Sequence, residues 1–300
     1  MPAKPRNARV GLALGSGGAR GWSHIGVIDA LHRLGVKPDV VCGTSIGALV
    51  GAAYAAGDLD RLERWVLGLK RGDVLKMMDV AWRGGLIKGR RLFDFFRSQI
   101  KDQDLSALAL PCGVVATDLA TGREIWLREG PLLEAVHASI AMPGLFTPVE
   151  RDGMLLVDGG LVNPVPVSMC RALGAEVVIA VDLGWAKLGR YRPRVDAVPG
   201  GLRAPSWLDR LTRLVRRGEV SEAEERRSAP SIIEAMLTGI DIMQVRVARS
   251  RLAGDPAEVM VTPLLPDFAT MDFHRAAEAI AEGHAAVARA RPMLERMVEM

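Results

Sequence analysis

Short apolar runs alternate with stretches of helical spacing along most of the chain. Val10–Leu14, Pro38–Cys42, Cys112–Thr117, Glu124–Arg128, Met154–Val157, Glu176–Asp182 and Glu258–Thr262 read as strands. Between them, residues 22–34, 48–56, 58–78, 89–100, 131–140, 231–252 and 272–291 carry the spacing or composition of helices, with Pro131 at the first position of its segment. Such alternation predicts βαβ units and an α/β fold on a mostly parallel sheet. There is no internal repeat.

The pattern changes after Trp185. Gly, Pro and Arg dominate as far as Pro205. Trp207, Leu208, Leu211, Leu214 and Val215 then recur at helical spacing, with Arg210, Arg213, Arg216 and Arg217 on the other faces. We read 8–300 as one domain: a motif-bearing core over 8–184, a basic excursion over 185–230, and C-terminal helices with one strand over 231–300 that complete it. At 49% hydrophobic but only 5% aromatic residues, its core is expected to be built from Ala, Val and Leu.

Charge sharpens this division. The formal charge is +4 overall, yet 185–230 alone holds Lys187 and ten arginines against six acidic residues. The basic character is local, so it does not point to nucleic acid. It marks the excursion as a peripheral contact with an anionic membrane, a lid, a docking surface or a solvated loop. No apolar run approaches the roughly 20 residues that span a bilayer, and Val10–Leu14 is too short for a signal-peptide core. The expected location is cytoplasmic, with any membrane contact peripheral and at the inner face. Cys42, Cys112 and Cys170 lie far apart in apolar segments without a Cys-x-x-Cys, which suits small buried hydrophobes better than a disulfide framework or a zinc site. No metal or other cofactor is expected.

Two turns carry candidate chemistry. Gly43-Thr44-Ser45-Ile46-Gly47 fits Gly-x-Ser-x-Gly between a strand and a small-residue helix, a context that exposes a serine hydroxyl on a sharp bend. Gly15-Ser16-Gly17-Gly18-Ala19-Arg20-Gly21 joins the first strand to the first helix. A dinucleotide fingerprint fails there, because either register of Gly-x-Gly-x-x-Gly puts Arg20 or Ser16 where glycine belongs. The same geometry serves an oxyanion hole, with successive N–H groups of Gly17, Gly18 and Ala19 forming a nest for negative charge; a plain tight turn is the alternative. A nucleophilic serine needs a base. None of His24, His32, His137, His274 and His284 has a context that marks it as the partner of Ser45. Asp158, at the end of a strand and followed by Gly159-Gly160, would share the C-terminal edge of a parallel sheet with Ser45, although an Asp-Gly turn accounts for it as well.

Four blocks in order resemble the patatin-like phospholipases: Gly15–Gly21, Gly43–Gly47, Ala138-Ser139-Ile140-Ala141-Met142-Pro143-Gly144 and Asp158-Gly159-Gly160. Ser16 and the run Arg20–Val27 look most like the bacterial relatives of neuropathy target esterase (NTE). The resemblance implies a three-layer α/β/α patatin-like fold with a nucleophile-elbow serine, and a serine–aspartate dyad instead of a triad. By position it implies Ser45 as nucleophile, Asp158 as base, and Gly17, Gly18, Ala19 and the Ile46 N–H as oxyanion donors, with Gly43, Gly47, Gly159 and Gly160 as motif glycines. It implies cleavage of acyl esters of lipids, of the lysophospholipase, phospholipase A or carboxylesterase type, with a lipid or lysophospholipid ester as partner. A non-catalytic lipid-binding or regulatory protein on the same fold is the other reading. Since free aspartate has a pKa of about 3.9, Asp158 would need burial to serve as a base. Met142, Pro143, Leu145 and Phe146 suit either an acyl chain or the core. Arg20 could meet a phosphate head group, but a carboxylate near the turn is the favoured partner.

Overall fold

The computed structural model describes residues 8–77, 96–98, 100–184 and 232–298. The basic excursion, including the helical spacing read over Trp207–Arg217, lies outside the described residues, as does the helix expected over 89–100 apart from 96–98 and residue 100. The strands are β1 (Val10–Leu14), β2 (Val40–Thr44), β3 (Cys112–Asp118), β4 (Glu124–Leu127), β5 (Val149–Arg151), β6 (Met154–Asp158), β7 (Val177–Val181) and β8 (Val259–Val261). The helices are α1 (Ser23–Arg33), α2 (Ile46–Ala55), α3 (Leu59–Leu67), α4 (Arg71–Met77), α5 (Leu132–Ile140), α6 (Val167–Ala172), α7 (Ile232–Gly254) and α8 (Ala276–Val298). Two of these elements had no sequence signal. β5 has three half-exposed or exposed residues and no apolar run, and α6 has six residues, too few to show a period. Pro131 caps α5 with an extended ψ of 123° instead of occupying its first turn. Among the described residues, no helix is long and apolar enough to cross a membrane.

The hydrogen-bonded path through the sheet is β5-β6-β3-β2-β1-β7-β8, with β4 paired to β3. β3, β2, β1, β7 and β8 are mutually parallel, β4 and β6 pair antiparallel with β3, and β5 pairs antiparallel with β6. Side-chain alternation along the parallel strands builds a core on each face. Leu12, Leu14, Val41, Val114, Ile179 and Val181 face one layer, with α1, α2, α5 and α8. Ala13, Cys42, Val115, Val178 and Ala180 face the other, with α6 and the Ala248 side of α7. Cys42, Cys112 and Cys170 are free and buried within these layers. Burial pushes the Cys112 thiol up to about 12.

Strand pairing puts Asp158 at the C-terminal edge of the parallel strands beside Ser45, as expected, but corrects the direction of its strand: β6 runs antiparallel to β3. β4 occupies one edge of β3 from Val114 to Thr117. β2, which pairs Cys112–Val115, and β6, which pairs Ala116–Asp118, must therefore share the other edge. β3 overruns β2, and β6 descends along the overhang until Asp158 pairs with Ala116, one residue beyond the Thr44–Val115 pair. The two strands point at each other tip to tip.

α1 and α8 cross at glycines. A Cβ on Gly26 would lie 2.0 Å from the Ile280 carbonyl oxygen, and one on Gly283 would lie 2.1 Å from that of Ser23. Gly26→Ala should therefore destabilise the protein by about 1–3 kcal/mol as the helices are forced apart. Gly239→Ala in α7, where an added Cβ meets nothing within 4 Å, should be neutral or stabilising by up to about 1 kcal/mol. Urea unfolding of the two variants measures the contrast.

Candidate active site

β2 feeds α2 through Ser45, whose φ of 57° and ψ of −123° place a non-glycine residue in a region it rarely adopts. Its surroundings hold it there. The Ser45 N–H donates to Ser139 Oγ at 2.8 Å, and Ser139 Oγ donates in turn to the Val115 carbonyl at 2.6 Å. One residue earlier, Thr44 Oγ1 donates to the Asn163 carbonyl at 2.8 Å. The bend leaves no room beside it: a Cβ on Gly47 would sit 2.2 Å from the Leu14 carbonyl oxygen, and one on Gly43 would sit 2.3 Å from that of Gly47.

Ser45 Oγ donates to Asp158 Oδ2 at 2.6 Å. Both residues are buried, Asp158 completely. Its Oδ1 accepts the Gly160 N–H at 2.7 Å. Its backbone is pinned by the Ala141 carbonyl, 3.0 Å from its N–H, and by Thr117 Oγ1, which donates to its carbonyl at 2.8 Å. Gly159 packs on the Val115 carbonyl. Burial raises the Asp158 pKa from 3.8 to about 6, against the opposing hydrogen bonds from Ser45 and Gly160. At neutral pH the carboxylate is ionised, and it is a stronger base than aspartate in water.

The glycine loop wraps over the start of α2. Gly15 N–H is bonded to Val181 O at 3.0 Å and Ser16 N–H to Pro164 O at 2.8 Å. Gly18, with φ 57°, opens a 3-10 turn that runs to Trp22. The expected donor set needs one correction. The Ala19 N–H is already bonded to Thr270 O at 2.9 Å, because the chain beyond β8 folds back over the loop. Among the described residues no partner engages the Gly17 or Gly18 amide, and the Ile46 N–H belongs to a first helical turn that has no intrahelical acceptor. Arg20 is buried, donating from Nε to Gly17 O at 3.0 Å and pairing through Nη2 with Asp241 Oδ1 at 3.4 Å. The favoured carboxylate pairing is thus what the fold contains, and sequence reasoning did not identify Asp241 as its partner.

Each histidine has other employment. His24 is buried, with Nε2 2.8 Å from Gly15 O, and burial lowers its pKa to about 4. His32 meets Tyr54 Oη, His274 meets Arg71, and His284 meets Asp29. Burial lowers His137 to about 4 as well, with Arg97 adding to the shift. Ser139, Thr117, Asn163 and Thr270 also support the site. Of these only Ser139 fell inside a recognised block, and nothing in its spacing gave it a role. Among the described residues, no group of three or more His, Cys, Asp or Glu side chains is arranged to hold a metal.

A cavity of about 80 Å³, partly open to solvent, is lined in part by Ile46, the residue after Ser45. Ile46 and Ile140, directly after Ser45 and Ser139 in sequence, line it together with Trp22, Trp65, Phe96, Phe146 and Phe273. Every lining residue is apolar or aromatic. Edge-to-face contacts of Trp22 with Trp65 at 6.3 Å and with Phe273 at 5.7 Å set its shape. Of the residues suited to either an acyl chain or the core, Phe146 lines this cavity while Met142 is buried.

Residues 12–171 match the family model for patatin-like phospholipase. An NTE family protein of Mycobacterium tuberculosis (strain H37Rv) is 34% identical over 337 aligned positions, which cover 96% of this chain and 92% of that one. Patatin-like phospholipase domain-containing protein 6 of Homo sapiens is 35% identical over 184 residues, or 58% of this chain and 13% of that protein. The crystal structure of VipD from Legionella pneumophila aligns at a TM-score of 0.45 and 13% identity, over 95% of this chain and 67% of that one. The family model spans more than half of the chain and the mycobacterial relative nearly all of it, so this three-layer α/β protein belongs to the patatin-like phospholipase family.

Proposed function

We propose that the protein is a serine hydrolase that cleaves acyl esters of lipids, lysophospholipids among them, through the Ser45–Asp158 dyad. The observation that carries this reading is the 2.6 Å hydrogen bond from Ser45 Oγ to a fully buried carboxylate beside an apolar cavity. Asp158 accepts the Ser45 proton as Oγ bonds to the ester carbonyl carbon. The oxyanion is received by the amides of Gly17, Gly18 and Ile46. Collapse breaks the ester C–O bond, Asp158 returns the proton to the departing alcohol, and an acyl-enzyme remains. Water then repeats the cycle, giving its proton to Asp158 and releasing the fatty acid. The cavity takes the acyl chain, each buried methylene contributing about 0.8 kcal/mol. The head group stays on the solvent side. The reaction requires no metal or other cofactor. The expected setting is the cytoplasm, with contact to an anionic membrane left to the basic segment 185–230.

Ser45→Ala should abolish both ester hydrolysis and labelling by a fluorophosphonate probe. Asp158→Asn should lower kcat by at least about 10³-fold, because the serine loses its only base. Near-normal turnover by Asp158→Asn would sink the dyad.

Activity should fall as pH drops through about 6, where Asp158 protonates. Stability runs the other way. The folded pKa lies above the unfolded one, so below about 3.8 the group is neutral in both states, and above about 6 the fold must hold a buried charge. Asp158→Asn should thus be more stable than wild type at pH 8 by up to about 3 kcal/mol, with the gap closing toward pH 4. Urea midpoints at the two pH values measure it.

Leu69 also lines the cavity. Leu69→Trp should shift preference toward short chains, lowering kcat/KM for p-nitrophenyl decanoate relative to butyrate by about tenfold. An unchanged chain-length profile would place the acyl group elsewhere.

A further inference from the structure

α7 lies outside the stretch that matches the family model, yet it reaches into the glycine loop. Asp241 and Gln244, one turn apart, are both buried on a helix face otherwise carrying apolar Val245 and Ala248. Gln244 Oε1 accepts from Ser16 Oγ at 3.1 Å. Its Nε2 is buried against Gly160, where an added Cβ would stand 2.5 Å away.

Asp241 does more. One of its oxygens pairs with Arg20 Nη2 at 3.4 Å, and the other accepts from Thr270 Oγ1 at 3.1 Å. Arg20 Nε donates to Gly17 O, and Thr270 O takes the Ala19 N–H. The result is a closed circuit from Gly17 through Arg20, Asp241 and Thr270 to Ala19. Both of its ends are backbone groups that flank Gly18. The Gly17 carbonyl and the Gly18 N–H belong to one planar trans peptide and point in opposite directions. Fixing the carbonyl therefore fixes the direction of the N–H. The guanidinium that does so is buried, and it donates a further bond to Leu183 O at 3.3 Å. A buried cation needs carboxylate company, which Asp241 supplies by direct contact and Asp182 by its field.

We propose that Asp241 is a positioning residue for ester cleavage, holding the Gly17–Ala19 loop through Arg20 and Thr270 so that the Gly18 N–H is aimed at the oxyanion. The proposal rests on the hydrolase reading above. A residue that merely docks α7 would lower the melting temperature and leave the chemistry of the folded molecules untouched. A residue that aims a donor must change kcat.

The test compares the full-length wild type with Asp241→Asn, Asp241→Glu and Thr270→Val, below their melting temperatures. Turnover of p-nitrophenyl butyrate and the rate of fluorophosphonate labelling at Ser45 are measured together. Asp241→Asn should lower kcat and the labelling rate about 10- to 100-fold, with KM within about twofold. Asp241→Glu should recover part of the loss, and Thr270→Val should show a smaller fall in kcat of the same kind. A wild type that neither turns over ester nor labels would overturn the hydrolase reading and this proposal with it. A wild type that does both, beside an Asp241→Asn variant with unchanged kcat or with a change confined to KM, overturns the positioning role alone. If Asp241→Asn does not fold, Thr270→Val decides: wild-type kcat and labelling there would overturn the proposal.

Discussion

Two strands that end tip to tip along one edge of β3 fix where everything else in the site has to be. β2 stops at Thr44 and β6 stops at Asp158, one residue apart in their pairing with β3. That meeting places a serine and a carboxylate within hydrogen-bonding distance without asking any loop to bridge the gap. Ser139, from α5 packed on β3, and Thr117, within β3 itself, then lock the two ends by bonding their backbones. The Ser45–Asp158 contact is in this sense a property of sheet register, and a slip of one residue in β6 would turn Asp158 to the opposite face.

The same packing sets the chemistry of the base. Among the described residues no cation shifts Asp158; burial and two hydrogen-bond donors, Ser45 and Gly160, set its state. Burial therefore dominates, and the carboxylate is held at the cost of some stability. The fold concentrates its cationic partner elsewhere, with Arg20 set between Asp241 and Asp182 behind the glycine loop. Base and loop are thereby tuned by opposite means, one by withholding a counter-ion and the other by supplying one.

Much of this was legible in the sequence. The apolar runs gave the parallel strands to within about two residues, since a strand buried on both faces is an unbroken apolar stretch. Ser45 and Asp158 were legible because each sits at a strand end beside glycines that the turn requires. The direction of β6 was not, because antiparallel and parallel pairing leave the same pattern in a strand this short. The Ala19 amide was misassigned for a related reason: the carbonyl that engages it comes from Thr270, and no local signal links residues so far apart. Asp241 and Gln244 break the apolar face of α7, which is a signal in hindsight of polar partners. Spacing alone could not say that those partners were Arg20 and Ser16.

The circuit through Thr270 also has an order in time. A ribosome delivers the serine turn and the aspartate strand well before the helix and the return segment that grip the glycine loop. Ser45 and Asp158 therefore both precede, in order of synthesis, the Asp241 and Thr270 that hold the glycine loop. A chain cut short before α7 lacks both Asp241 and Thr270, so nothing in it can close the circuit around Gly18.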